Sequence, residues 1–245
     1  MTLNSGSVHA LLGENGAGKS SLIKIMTGIY KADAGEITMA GKPARFANLR
    51  QAAAGGLGVV HQERNLVARF PVAENIMLDR LGRHSLSPVD TTMIAKEAAR
   101  WRKLAAKFGL LRDTTVAARI GPVLKKLEVK TPSLDQTIGN LSGGNQQKVS
   151  VAKWIAARVK LLIIDEPSVG IDIKTKAYLH DLIHELAESG TAILLITSDL
   201  TEMVDVADRV AVMDGYRIRG EVENTRNYER VSTAIMALIH GRKAA

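Results

Sequence analysis

The run Gly13-Glu14-Asn15-Gly16-Ala17-Gly18-Lys19-Ser20 leaves this chain few folds to choose from. It fits G-x-x-x-x-G-K-[ST], a loop whose glycines let consecutive backbone N–H groups turn toward one anion. Such a loop works between a strand and a helix, and the flanking sequence supplies both. Val8 to Leu12 is a short apolar run, and Leu22, Ile23, Ile25 and Met26 give a helix that closes near Gly28. In that setting the helix beginning near Lys19 adds its positive end, Lys19 reaches the β and γ phosphates of a nucleotide, and Ser20 ligates Mg²⁺. Ser21, next on the helix, is counted with the same binding set. The alternative is a merely flexible turn, and the strand before it and the helix after it argue against that.

Composition narrows the setting. At 245 residues the chain makes one large domain or two small ones. A hydrophobic share of 46% and a charged share of 24% exclude a disordered or fibrous chain. There is no cysteine, which removes disulfides, thiolate metal sites and cysteine catalysis and agrees with a reducing compartment. Basic residues outnumber acidic ones by 33 to 25, a formal charge of +8, compatible with an anionic partner but not selective among nucleotide, nucleic acid and lipid. Arg100, Arg102, Lys103, Lys107, Lys125, Lys126 and Lys130 lack interleaved stacking aromatics. They read as a solvated helix face, so no nucleic-acid partner is expected. His180 and His184 sit four apart without the H-E-x-x-H order or an evident third ligand, and are read as structural or surface histidines. No apolar run approaches the ~20 residues of a membrane span. Residues 1–7 carry neither a basic cluster nor an extended apolar stretch, so a cytoplasmic protein is the default.

Further along, a strand is expected at Leu57 to His61 and an amphipathic helix from Thr91 to Phe108. Gly143 to Val159 reads as another helix. Leu161 to Ile164 and Ile193 to Ile196 are continuous apolar runs of the kind buried on both faces of a parallel sheet, and the periodic stretch Lys174 to Ser189 joins them as a helix. Polar residues wait at the carboxyl end of each candidate strand, the edge where open parallel sheets bind ligands. Asp165 and Glu166 follow one of them, which makes Asp165 a metal-ligand candidate, through water, and Glu166 the candidate for polarising an attacking water. The alternative for this pair is a helix cap or a surface acid pair.

The stretch Leu141-Ser142-Gly143-Gly144-Asn145-Gln146-Gln147 puts a Ser-Gly-Gly turn at a helix start. Its hydroxyl and N–H donors make either a second anion site or an ordinary N-cap. Its order, after the glycine loop and just before the Asp165 strand, resembles the signature motif of ATP-binding cassette (ABC) proteins. Gln62, in Val59-Val60-His61-Gln62-Glu63, is similar to that family's Q-loop glutamine, and Pro167 to Asp172 resembles its D-loop. More narrowly, Gly13 to Tyr30, Val72 to Leu78 and Leu141 to Trp154 resemble the ATPase subunit of bacterial monosaccharide importers of the ribose, galactose and xylose type. The resemblance covers nearly the whole chain.

What the resemblance implies is an α/β fold of the P-loop NTPase class, an ABC nucleotide-binding domain with a helical subdomain. It implies one domain over 1–245, with a RecA-like core at about 1–71 and 161–225, a helical subdomain at about 72–160 and a C-terminal helix at about 226–242. ATP and Mg²⁺ are the implied cofactors. Gly13, Glu14, Asn15, Gly16, Ala17, Gly18, Lys19, Ser20 and Ser21 would bind nucleotide on one cassette, and Ser142, Gly143, Gly144 and Asn145 of its partner would close over it. Ser20, Gln62 and Asp165 would serve the metal, and Glu166, Gln62 and Ser198 the catalysis. The implied partners are transmembrane permease subunits, a second cassette in a homodimer or heterodimer and, indirectly, a sugar-binding protein. The implied location is the cytoplasmic face of the cell membrane, without spanning it.

The chain also departs from that pattern. The importer ATPase normally carries two cassettes in a chain about twice this length; here residues up to roughly Leu110 resemble the first and those from Val129 onward the second. An adenine-stacking aromatic usually precedes the glycine loop, whereas the first aromatic here is Tyr30, so that contact is missing or supplied from elsewhere. Ser198 stands where the family's switch histidine falls, and serine can hydrogen-bond but not supply an imidazolium. Slow or no turnover by this chain alone is therefore expected. The alternative function is a degenerate cassette that binds nucleotide or a partner cassette without efficient hydrolysis.

Overall fold

The computed structural model of the chain describes residues 1–60, 66–81, 120–125, 127–157, 159–169 and 173–240. The helix expected from Thr91 to Phe108, and Gln62 with it, lie outside the described residues. In chain order the elements are β1 (Val8–Leu12), α1 (Lys19–Met26), β2 (Thr38–Met39), β3 (Lys42–Pro43), α2 (Leu49–Ala54), β4 (Leu57–Val60) and α3 (Val72–Leu81). There follow α4 (Gly143–Ala157), β5 (Leu161–Asp165), α5 (Ile173–Glu188), β6 (Ala192–Ile196), α6 (Leu200–Val206), β7 (Arg209–Asp214), β8 (Arg217–Glu223) and α7 (Tyr228–Ile239). The chain divides into two compact units, residues 1–63 with 159–245, and residues 64–158.

The first unit is built on a six-stranded sheet in the order β4-β5-β6-β1-β7-β8. Strands β4 to β7 run parallel, and β8 returns antiparallel at one edge. The apolar runs become the central strands because both of their faces are covered. All five residues of β6 are buried, and Leu11, Ile163 and Leu194 are fully buried in the same cluster as Ile23 and Met26 of α1. The β5–α5–β6 unit read from periodicity is present, with β5 and β6 paired in parallel from Leu161↔Ala192 to Asp165↔Ile196. β7 and β8 form a hairpin that periodicity alone passes over, closed by the two-residue turn Gly215-Tyr216. The expected C-terminal helix is α7, capped by Asn227, whose side chain accepts from the Arg230 N–H.

The second unit packs α3 against α4. Its apolar interior includes Val72, Ile76, Ile120, Leu127, Ile138 and Val149. Asn75 is fully buried and takes four backbone bonds, accepting from Val67 N–H and donating to the carbonyls of Val67, Phe70 and Pro71. It thereby fixes the entry to α3, since any of those groups left bare inside would cost about 1–3 kcal/mol. Val72 N–H to Gln136 O and Ile138 N–H to Phe70 O tie that entry to the segment leading into α4. Among the described residues, no helix is long and apolar enough to cross a membrane.

Candidate functional site

β1 ends at Leu12 and the glycine loop curls directly into α1. Gly18 is the N-cap residue with φ 109, left-handed backbone that a side chain would strain, and no side chain caps the helix. The first-turn N–H groups of such a helix have no intrahelical acceptor, and no acid lies in that turn to compete for them. Gly13 is required for a different reason: a Cβ there would stand 2.5 Å from the Met213 carbonyl oxygen. Lys19 Nζ donates back to the Gly13 carbonyl and to that of Glu14, at 3.1 Å for the latter, so its ammonium group lies across the mouth of the loop. Ser20 is exposed at the first turn and Ser21 half-buried behind it. Uncapped donors, a lysine ammonium and a free-standing hydroxyl suit a polyphosphate with its metal, since Mg²⁺ prefers oxygen ligands.

The sheet register brings the acids to the same edge. Leu11 pairs with Ile196, and Ile196 pairs with Asp165, so the ends of β1, β6 and β5 are level. Asp165 is thus two strand spacings, about 10 Å, from the start of the glycine loop. Glu166 follows in left-handed backbone with φ 48, and its N–H donates to the Ile196 carbonyl at 2.8 Å. Ser198, the first exposed residue after β6, donates from Oγ to Glu166 Oε2 at 3.3 Å. Lys19, Ser20, Asp165, Glu166 and Ser198 are therefore gathered along one carboxyl edge of the sheet, as their positions after apolar runs led one to expect.

In the second unit Ser142 immediately precedes α4 and accepts from Asn145 at its backbone N–H, 3.4 Å, and at its side-chain amide, 3.0 Å. Asn145 Oδ1 in turn accepts from Lys130 N–H at 2.9 Å. The N-cap arrangement is thus realised at the Ser-Gly-Gly turn, and Gly143 and Gly144 form the first positions of the helix.

One cluster escapes sequence reasoning. Glu202 is fully buried and accepts from Thr197 Oγ1 at 2.6 Å, from Ser168 Oγ at 3.1 Å and from His180 Nε2 at 3.1 Å. Burial opposes its ionisation, but the bonds from His180, Thr197 and Ser168 and the charge of Lys176 together hold the carboxyl below the usual glutamate range. Lys176 also pairs with Asp199 at 2.5 Å, a bond that holds Asp199 below the usual aspartate range. Glu202 therefore ties the residue two beyond Glu166 to the residue just before Ser198. The available signal was Asp199-Leu200-Thr201-Glu202, a capping-box spacing. Asp199 does cap α6, accepting from the Thr201 and Glu202 N–H groups, while the glutamate turns inward.

A glycine loop closing a parallel strand and opening an uncapped helix, with an acid pair two strands away and a capped Ser-Gly-Gly helix in a second unit, defines a P-loop domain of the ABC kind. The chain belongs to the ABC transporter family, whose model matches residues 1–169. A nucleotide-free ATP-binding cassette from an ABC transporter superposes with a TM-score of 0.79 at 22% identity, covering 98% of this chain and 90% of that one. A second cassette, in its ADP conformation, gives a TM-score of 0.77 at 21% identity, covering 99% and 91%. Among curated proteins, the ribose import ATP-binding protein RbsA of Jannaschia sp. (strain CCS1) is 36% identical over 91% of this chain and 40% of its own length. The arabinose import ATP-binding protein AraG 2 of Burkholderia ambifaria is 36% identical over 89% of this chain and 38% of its own. Ribose import ATP-binding protein RbsA 1 of Streptomyces coelicolor is 37% identical over 98% and 43%. The chain spans about two fifths of the length of the curated relatives it matches.

Proposed function

We propose that this chain is the ATP-binding and hydrolysing part of an ABC importer of sugars. It works at the cytoplasmic face of the cell membrane, paired with a second cassette and driving transmembrane permease subunits that a sugar-binding protein supplies. The observation that carries the nucleotide chemistry is the level register of Leu11, Ile196 and Asp165, which sets the glycine loop and the acid pair on one edge. The import reading is supported by the names of the relatives, ribose and arabinose import ATP-binding proteins.

In this reading the N–H groups from Gly13 to Ser21 cradle the phosphates of ATP, and Lys19 leaves its two carbonyl acceptors to meet them. Ser20, Asp165 and Gln62 would hold Mg²⁺, which would supply neutralisation of phosphate charge. Glu166 accepts the proton of the attacking water, and Ser198, bonded to that carboxylate, fixes its orientation. Ser142, Gly143, Gly144 and Asn145 present their helix start to the nucleotide of the partner cassette. Because Ser198 carries no charge, slow turnover is expected of the isolated chain, and that uncharged side chain beside Glu166 keeps a non-hydrolysing partner cassette as the second reading.

The test is Mg²⁺-ATP hydrolysis and ATP-dependent dimerisation of the chain beside Lys19→Ala and Glu166→Gln. Turnover lost in both variants, with Glu166→Gln trapping a dimer, is the expected result. Unchanged pairing in Lys19→Ala would refute the mechanism, and nucleotide binding without turnover or pairing would select the second reading.

A further inference from the structure

Tyr216 holds a position that its hairpin does not ask for. Gly215 and Tyr216 join β7 to β8 with φ 53 and 62, the two-residue turn that favours glycine or asparagine. A tyrosine in left-handed backbone crowds its own Cβ and is retained at a cost, which points to a use for the ring. Burial is not that use, since Tyr216 is 70% exposed. The ring is instead fixed against the phosphate-binding loop. Tyr216 N–H donates to the Ala17 carbonyl at 2.9 Å. A methyl group on Gly18 would meet Tyr216 Cδ1 at 2.8 Å, so the ring lies against the residue before Lys19. The turn is braced from its other side by Arg219, which donates to Asp214 Oδ2 at 2.6 and 3.0 Å.

We infer that Tyr216 is the stacking surface for the base of the nucleoside triphosphate whose phosphates lie in the glycine loop; this rests on the nucleotide-binding reading above. A largely exposed aromatic ring beside uncapped helix-start amides suits the two ends of a nucleotide at once. Stacking uses the π face rather than the base edges, so it accepts any base. Tyr30 is not placed for the task. It lies beyond the far end of α1, eight residues or about 12 Å along the helix from the loop, and its ring already stands 5.1 Å from Lys24 Nζ.

The test compares ATP with inorganic tripolyphosphate, both with Mg²⁺, by calorimetric titration of the full chain and of Tyr216→Gly and Tyr216→Phe. Glycine suits the turn, so Tyr216→Gly should melt at the same temperature or higher, bind tripolyphosphate unchanged and bind ATP roughly tenfold more weakly. Tyr216→Phe should keep ATP affinity within about twofold, because the ring face remains. Undiminished ATP affinity in Tyr216→Gly would overturn the assignment, as would equal weakening toward ATP and tripolyphosphate, which would mean that the residue only shapes the loop. A parent chain that binds neither ligand would overturn the nucleotide reading itself, and the stacking role with it.

Discussion

Replacing Glu202 by alanine removes the one acceptor shared by Thr197, Ser168 and His180. A hydrogen bond to a charged group contributes about 1.5–3 kcal/mol, and a buried donor left bare costs its desolvation. Thr197 is 2% exposed, so its hydroxyl loses its acceptor with no route to water and counts in full. Ser168 and His180 are half-buried and recover part of their loss from solvent. The expected destabilisation is therefore about 3–5 kcal/mol, the range for breaking a buried charged network by removing one member. Glu202→Gln keeps the volume and one carbonyl acceptor for Thr197 but turns an amide donor toward the others, for a cost of about 2 kcal/mol. Urea unfolding followed by circular dichroism should show both losses as lower midpoints, in that order. The pH dependence has a definite sign. The folded-state carboxyl titrates below the usual glutamate range, so its contribution is complete above about pH 4.3 and drains away as pH falls through the native value. The gap between parent and Glu202→Gln should then close in acid. A Glu202→Ala protein within about 1 kcal/mol of the parent at neutral pH would refute the reasoning, because a buried acceptor of three bonds cannot be removed so cheaply.

Two further outcomes follow from the geometry. A Cβ on Gly13 would stand 2.5 Å from the Met213 carbonyl and 2.9 Å from Ala17 Cβ, so Gly13→Ala should destabilise by about 1–3 kcal/mol through backbone displacement. Gly16→Ala, with φ 87 but nothing within 4 Å, should cost only the left-handed penalty of about 1–2 kcal/mol; urea midpoints that rank Gly16→Ala as the worse would count against this. His9 is buried with Nε2 accepting from Asn4 N–H, and burial together with Arg209 holds its pKa below the usual value. The unfolded chain therefore takes up this proton first, and stability should fall as pH drops below about 6.5. His9→Gln should flatten the slope of a denaturation series between about pH 6.5 and 5, and an unchanged slope would exclude His9 as its source.

Much of the sheet was legible because its signals are local. The continuous runs Leu161 to Ile164 and Ile193 to Ile196 could be nothing but doubly covered strands once a helix-period stretch separated them, and the register confirms a parallel pair. The glycine loop identified β1 and α1 with their observed bounds nearly to the residue. The β7–β8 hairpin was also signalled, by Asp214-Gly215 between apolar and alternating segments, but β8 is a largely exposed antiparallel edge strand and carries no continuous apolar run. Glu202 was illegible for a different reason. Its sequence setting is that of a solvent-facing acid in the first turn of a helix, and its partners Ser168 and His180 lie 34 and 22 residues away. Only the closing of the sheet brings those hydroxyl and imidazole donors around one carboxylate. Tyr216 is similar, legible only as a poor fit to its turn until the hairpin tip is seen against Ala17 and Gly18.

The second unit departs from the sheet after β4 and returns just before β5, and these two strands are immediate neighbours, with Lys160 and Leu161 N–H groups both donating to the Gly56 carbonyl. Topologically, that whole unit is one connection between adjacent parallel strands. Lengthening a loop from roughly ten residues to roughly a hundred raises its closure entropy by only about 2 kcal/mol, since the cost grows with the logarithm of length. The neighbouring β5–β6 and β1–β6 pairs do not use that connection at all. The sheet is therefore insulated from what is spliced into this one crossover, and a change in the length of the helical module there leaves the level carboxyl ends of β1, β6 and β5 in register.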